Sequence, residues 1–439
     1  MEGKTMIFNR IKAMMALESF RVSVSGAFVT AFKMLTGFIS LKVVASLIGP
    51  AGVALIGQLN NFTTVLLQLA NGGITVGLTK YVSEFSNEKE KYAKYITAAC
   101  YITLVASVVV SLVLIFGASF LSEKVLGSNQ YPFVFLVFGL SLVFYALNAF
   151  VLAVSNGFKE YRVFFLSNLV GSIFGLVFTV ILTYRFGING ALISVVTYQS
   201  IAFLCTIPFF LKHSWLKPKA VFTAIDKPAV RQLFSFSLMA LVAAINGPLN
   251  QMFIRNYIIN HESLNDAGIW EGVNRISNMY LYVVMTALSI YFLPKLAALS
   301  EKAAIRKEIF NTYKMIMPFL LIGAVCIYVF RGLIIKVLFT PAFEPMNGLF
   351  PYQLTGDICK MAGWVLGYLM LAKAMTKTYL VMEVISFSCQ IGFSILFLNI
   401  FGLKGAPIGY TLGHLTYFLL LVIIFRDYLF RSKNQVTTN

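Results

Sequence analysis

The sequence is a succession of apolar runs of about 20 residues or more, the length needed to cross roughly 30 Å of hydrocarbon at about 1.5 Å per helical residue. These runs lie near residues 20–48, 53–82, 94–120, 132–157, 162–184, 189–211, 232–258, 267–293, 309–335, 350–372, 378–401 and 405–428. Lipid offers the backbone no hydrogen-bond partner, so each run must satisfy its own N–H and C=O groups as a helix. With 59% hydrophobic and 12% charged residues, the chain carries about half the charge usual for a soluble protein. The expected fold is an all-α polytopic membrane protein with about twelve transmembrane helices. No cleavable signal peptide is expected in MEGKTMIFNRIKAMMALESF, which lacks a continuous apolar core before a small-residue cleavage site.

A net charge of +18 raises the question of a nucleic-acid partner, and its distribution answers it. Of 35 Lys and Arg, about 25 fall on the side of the termini, about 6 on the other side and about 4 within spans. The rich side holds SNEKEKYAK, LKHSWLKPKAVFTAIDKPAVRQ and PKLAALSEKAAIRKE, whereas the poor side holds GPAG, FGING and FGLKGA. This asymmetry is the positive-inside pattern and implies cytoplasmic termini in a multi-pass protein, with no nucleic acid as partner. The five cysteines lie within apolar runs without metal-ligand spacing and read as packing residues. No phosphate-cradling loop, metal-spaced His/Cys set or nucleophile elbow occurs, so neither a cofactor, a metal nor a catalytic residue is expected.

The chain also resembles itself. RFGINGALIS at 185–194 returns as IFGLKGAPIG at 400–409, GPAGVALIGQLNNF at 49–62 as NDAGIWEGVNRISN at 265–278, and GLTKYVSEFS at 77–86 as FLPKLAALSE at 292–301. The offset is about 215 residues each time, and it aligns Lys80 with Lys295. The expected organisation is a six-helix bundle over 1–211, a cytoplasmic basic linker over 212–231 and a second six-helix bundle over 232–439. Such repeats place a substrate site near the bilayer midplane and work by alternating access.

Polar residues inside spans mark where that site lies. Asn61, Thr64, Gln68, Asn71, Thr75 and Thr79 recur at helical spacings along the second span and at about 100° per residue fall within an arc of about 80°. The repeat-related span carries Asn274 and Asn278 beside Glu271 and Arg275. Lys33 lies about 16 Å into the first span, on a small polar face with Thr30, Gly37 and Ser40, while Lys42 lies about 30 Å in and on the opposite face, where it can snorkel to water. Asp357 and Lys360 stand at i, i+3, close enough to pair. Glu383 shares a face with Ser386 and Gln390, and Arg255 follows Asn246 and Gln251. His414 reads as a hydrogen-bonded packing residue. The interior holds more cations than anions, which suits an anionic, lipid-borne cargo such as a phosphate ester.

The strings GPAG, GLTKYV, FSLMAL, GIWEGVNRIS, LPKLAALSEK and YQLTGDICKMAGWVLGYLMLAKA resemble the Wzx-type O-antigen and polysaccharide repeat-unit flippases of the multidrug/oligosaccharidyl-lipid/polysaccharide exporter superfamily, over about residues 25–428. The resemblance implies a V-shaped pair of six-helix bundles that moves an undecaprenyl-diphosphate-linked oligosaccharide from the cytoplasmic to the periplasmic leaflet of the bacterial inner membrane. It implies coupling to an H+ or Na+ gradient, membrane lipid as surroundings, and a monomer that works beside a polymerase and a chain-length regulator. Lys33, Lys42, Lys80, Arg255, Asp357, Lys360 and Lys373 match the family's residue types; Arg275 departs from them.

The resulting expectation assigns substrate binding to Lys33, Lys42, Lys80, Arg255, Arg275 and Lys360. Asn61, Thr64, Gln68, Asn71, Asn274 and Asn278 line the cavity, and Asp357 and Glu383 couple the ion, with Asp357 releasing Lys360 on protonation. The competing readings are a multidrug/cation antiporter of the same superfamily, which would favour acids in its cavity, and a membrane polysaccharide polymerase. The polymerase would need a large periplasmic loop, whereas the longest outer loop here is about fifteen residues.

Overall fold

The computed structural model describes residues 18–210 and 225–430. Among these residues every regular element is helical. In chain order they are α1 Glu18–Ala70, α2 Thr75–Glu84, α3 Lys89–Phe116, α4 Ala118–Leu126, α5 Pro132–Gly157, α6 Tyr161–Phe210 and α7 Lys227–His261. There follow α8 Leu264–Ala287, α9 Leu293–Ala298, α10 Lys302–Leu338, α11 Phe350–Ala372, α12 Thr376–Phe401, α13 Gly405–Ile424 and α14 Arg426–Leu429. A π-turn at Leu288–Phe292 joins α8 to α9.

Outward-facing apolar rows show how these helices meet their surroundings. On α3, Val105, Val108, Val109, Leu112, Val113 and Phe116 are exposed, and on α10 so are Phe319, Ile322, Val325, Val329 and Leu333. Contiguous apolar faces of that extent are stable against lipid tails and not against water. The protein is an all-α, multi-pass membrane protein. Six helical segments among the described residues are long and apolar enough to cross a membrane, and three of them (Phe28–Ala70, Tyr161–Ile207 and Thr376–Ile424) run 43, 47 and 49 residues with a bend or turn inside. α8 and α11 are not among the six. Each replaces apolar positions with polar ones: Glu271, Asn274, Arg275 and Asn278 in α8, Gln353, Asp357 and Lys360 in α11.

Two glycine pairs make the tight reversals between long helices. Gly187, inside α6, has φ 56° and ψ −133°, and Gly402, between α12 and α13, has φ 59° and ψ −145°. Side chains are excluded from this region of backbone space. The second glycine of each pair lets two helices touch: a Cβ on Gly190 would lie 1.9 Å from the Leu182 carbonyl oxygen, and one on Gly405 would lie 2.0 Å from the Phe397 carbonyl. These are the RFGING and IFGLKG segments, so the sequence repeat recurs as one backbone conformation at both places.

The chain divides into two compact units. One holds the residues up to Leu47 with Thr63–Leu241; the other holds Ile48–Phe62 with Val242 onward. The boundary therefore falls inside α1 and inside α7. GPAG, expected as an outer loop, lies where two helical stretches of Glu18–Ala70 meet: Gly49 leaves helical geometry (φ 65°, ψ −169°) and Pro50 follows it. The expected basic linker lies largely outside the described residues, and its last residues from Lys227 already belong to α7.

In the first unit, Ile74, just before α2, and Leu78 and Val82 of α2 pack with Ile96, Ala99 and Ile102 of α3 and Phe150, Val151 and Val154 of α5. Polar bonds tie neighbouring helices, as small residues and hydroxyls commonly do in membranes. Ser141 donates to the Val196 carbonyl (3.1 Å) and Ser200 to the Ser141 carbonyl (2.8 Å). In the second unit, α13 packs closely on α11 and α12, with Gly356 against Tyr410, Gly363 against Tyr417 and Gly413 against Gln390. Ala54, Ile254, Ile258, Ala267, Trp270, Leu398 and Ala406 form a separate core cluster there.

Candidate functional site

The second unit encloses a cavity of about 530 Å3. α1 contributes Asn61; α7 Asn246, Asn250 and Gln251; α8 Trp270, Asn274 and Asn278; α11 Lys360, Trp364 and Tyr368; α12 Tyr379, Glu383, Ser386 and Gln390; and α13 Tyr410, His414 and Tyr417. Amides and aromatic rings dominate this wall. The amides are fixed by one another: Asn250 donates to Gln390 (3.0 Å), Gln390 to Ser386 (3.2 Å), and Asn246 to the Glu383 carboxylate. Asn274 donates to the Trp270 carbonyl at 3.0 Å.

Asp357 and Lys360 do not pair as expected. Asp357 is fully buried beside the cavity and accepts hydrogen bonds from Ser277, from Tyr280 at 2.7 Å and from Tyr410 at 2.9 Å. Lys360 instead carries its ammonium over Trp364 (5.5 Å) and Tyr410 (5.7 Å) on the cavity wall. The i, i+3 spacing puts both on one side of α11, but hydroxyls from α8 and α13 saturate the carboxylate before the longer lysine can reach it. The expected release of Lys360 by Asp357 therefore has no ion pair to break.

Arg255 and Arg275 share one carboxylate, that of Glu271. Arg255, fully buried, bonds the Glu271 carboxylate, donates to Gln58 Oε1 at 2.8 Å and lies over the Trp270 ring at 5.5 Å. Arg275 donates to the other Glu271 oxygen at 2.9 Å. One carboxylate thus joins two guanidinium groups, the geometry in which a buried charge is tolerated. Asn61 sits at the mouth of this cluster, its amide 3.1 Å from Gln251 and, turned with its oxygen toward the guanidinium, 3.2 Å from Arg255.

The expected stripe along the second span is broken as well. α1 ends at Ala70, the chain turns through Gly72 and Gly73 with φ of 60° and 66°, and α2 begins at Thr75. Asn71 is buried in this turn, donates to the Leu67 carbonyl at 2.9 Å and is not among the residues lining the cavity of the second unit. Thr79 donates to the Ala153 carbonyl at 3.0 Å. Thr64 is exposed and Gln68 half-buried in the first unit, so of the span-two residues only Asn61 reaches the cavity wall.

Lys33 is exposed on the first unit and donates to Asn168 Oδ1 at 2.5 Å, beside Ser172, whose hydroxyl bonds the Asn168 carbonyl at 2.7 Å. Lys42 is half-buried on α1, and Lys80 on α2 lies over the Tyr81 ring at 4.9 Å. Its repeat counterpart Lys295 pairs with Glu308 and Tyr291, both at 2.7 Å, and these bonds raise its pKa above the ordinary lysine value. Lys373 donates to the Leu299 carbonyl. Sequence reasoning missed Trp270, Trp364, Tyr410 and Asn250; the available signal was that two of the chain's three tryptophans stand in spans that also carry an acid, Glu271 in one and Asp357 in the other.

The sequence profile described as "Polysaccharide biosynthesis protein" matches residues 23–300, more than half of the chain. The chain belongs to the polysaccharide biosynthesis protein family. It is 29% identical over 402 residues to the lipid III flippases of Escherichia coli (strain K12) and Shigella flexneri, covering 90% of this chain and 95% of each of them. Among solved structures this family member is similar to an inward-facing multidrug resistance MATE family transporter of the MOP superfamily, at 14% identity and TM-score 0.77 over 90% of this chain and 95% of that one. It is also similar to a MOP superfamily transporter from Pyrococcus furiosus, at 13% identity and TM-score 0.65 over 93% and 95% of the two chains. The fold of this polysaccharide biosynthesis protein is that of the MATE-type transporters.

Proposed function

We propose that this family member is a non-enzymatic flippase that carries a lipid-linked oligosaccharide across the membrane. The observation that carries the reading is a cavity walled by amides and aromatic rings, inside a unit whose outer faces are apolar. An oligosaccharide needs such a chamber, because its hydroxyls cannot cross hydrocarbon unpartnered. Membership in a polysaccharide biosynthesis family and the likeness to lipid III flippases support it. In detail, the cargo is an oligosaccharide on undecaprenyl diphosphate, moved from the cytoplasmic to the periplasmic leaflet of the bacterial inner membrane by alternating access. An H+ or Na+ gradient drives the cycle, with Asp357 and Glu383 as the acids inside spans that sense it. Both termini are cytoplasmic. Polymerase and chain-length regulator act beside a monomeric flippase.

Lys33 receives the diphosphate. It is an exposed cation within an apolar helix, while Arg255 and Arg275 share the single Glu271 carboxylate. Deleting the gene should make cells accumulate the lipid-linked oligosaccharide, read by mass spectrometry of extracted lipids, and the wild-type gene should clear it. Lys33→Ala should insert normally yet fail to clear the precursor. Full clearance by that variant would remove Lys33 from the mechanism, and no accumulation in the deletion strain would reject the flippase reading.

A further inference from the structure

The cavity of the second unit has a chemistry of its own. Its charged wall residues are one cation, Lys360, and one anion, Glu383. A diphosphate carries at least two negative charges and binds where cations or backbone N–H groups converge on it. Here it would meet a single ammonium, already over two rings, and a carboxylate in the same chamber. What the wall does offer is aromatic surface from Trp364 and Tyr410, and amides that both donate and accept. Apolar ring faces with alternating donors and acceptors around them match a pyranose, whose C–H face is apolar and whose rim is hydroxyl.

We infer that the cavity of the second unit is a saccharide subsite that grips the glycan and not the diphosphate of the cargo, with Trp364 as stacking platform, Asn250, Gln390 and Asn274 reading hydroxyls, and Lys360 donating to a sugar oxygen. This rests on the flippase reading and divides its cargo. The glycan is selected by the second unit, so changes in this wall alter which oligosaccharide is carried without touching recognition of the diphosphate.

The test uses the purified full chain and two probes: the glycan released by mild acid from the lipid precursor that accumulates in deletion cells, and inorganic pyrophosphate. Two of three tryptophans line the cavity, so intrinsic fluorescence and calorimetry both report binding. The glycan should bind saturably and pyrophosphate should leave its affinity unchanged. Trp364→Leu should weaken the glycan by about tenfold or more, the scale of one lost stacking contact, while Trp364→Phe, which keeps a flat ring, should lose less. Elution of both variants as the wild-type species separates a binding loss from misfolding. Competition by pyrophosphate, or wild-type glycan affinity in Trp364→Leu, would overturn the inference. A precursor that accumulates but whose glycan fails to bind defeats the inference alone; absence of any precursor defeats the flippase reading and the inference with it.

Discussion

Glu271 shows how a residue that looks like part of a binding site can be structural. Its spacing to Arg275 is legible as an i, i+4 helix pair, but its bond to the fully buried Arg255 crosses from α8 to α7 and leaves no local trace in the sequence. Removing one partner of a buried ion pair strands the other, at a cost of about 3–5 kcal/mol. Glu271→Gln should therefore lower the thermal unfolding midpoint of the detergent-purified protein sharply. Arg275→Gln should lower it far less, since Arg275 is part-exposed and can turn to water while Arg255 keeps its carboxylate. Equal losses in the two variants would mean that the guanidinium groups share the carboxylate evenly. Asp357 follows the same logic, since its saturating partners are hydroxyls on other helices and its near neighbour in sequence is not one of them.

At the level of elements, helix lengths and the small-residue reversals were readable, because apolar run length and glycine spacing are local properties. The internal match between 185–194 and 400–409 corresponds to two turns of the same backbone conformation. A Cβ on Gly405 would run into the Phe397 backbone, and Gly402 sits in a backbone region that costs other residues about 1–3 kcal/mol. Gly405→Ala should accordingly disrupt the α12–α13 reversal and reduce the yield of folded protein. Gly392→Ala, with nothing within 4 Å of the added carbon, should be neutral or slightly stabilising by about 0.5–1 kcal/mol from helix propensity. Monodisperse protein recovered by size exclusion, measured for both, decides the matter. The span-two stripe failed at this scale for an equally local reason: Gly72 and Gly73 end the helix, and a helical wheel drawn through them places Asn71 and Thr79 on a face that does not exist.

For the whole molecule, the basic excess is a topological signal, and it carries a prediction of its own. On the proposed orientation, with both termini cytoplasmic, a C-terminal green fluorescent protein fusion should fluoresce and a C-terminal alkaline phosphatase fusion should be inactive; the opposite pair of results would reverse the orientation. The sequence by itself determined the solvent of this protein, its helical class and the internal repeat, because run length, polarity and spacing act along the chain. Only the tertiary structure decided which polar residues meet. It paired Arg255 with Glu271, surrounded Asp357 with hydroxyls, left Lys360 on a wall of rings and drew Asn250, Gln390 and Trp364 into one chamber. In the apolar interior a buried polar group is held by whichever partner packing brings within hydrogen-bond reach, and that partner most often stands on another helix.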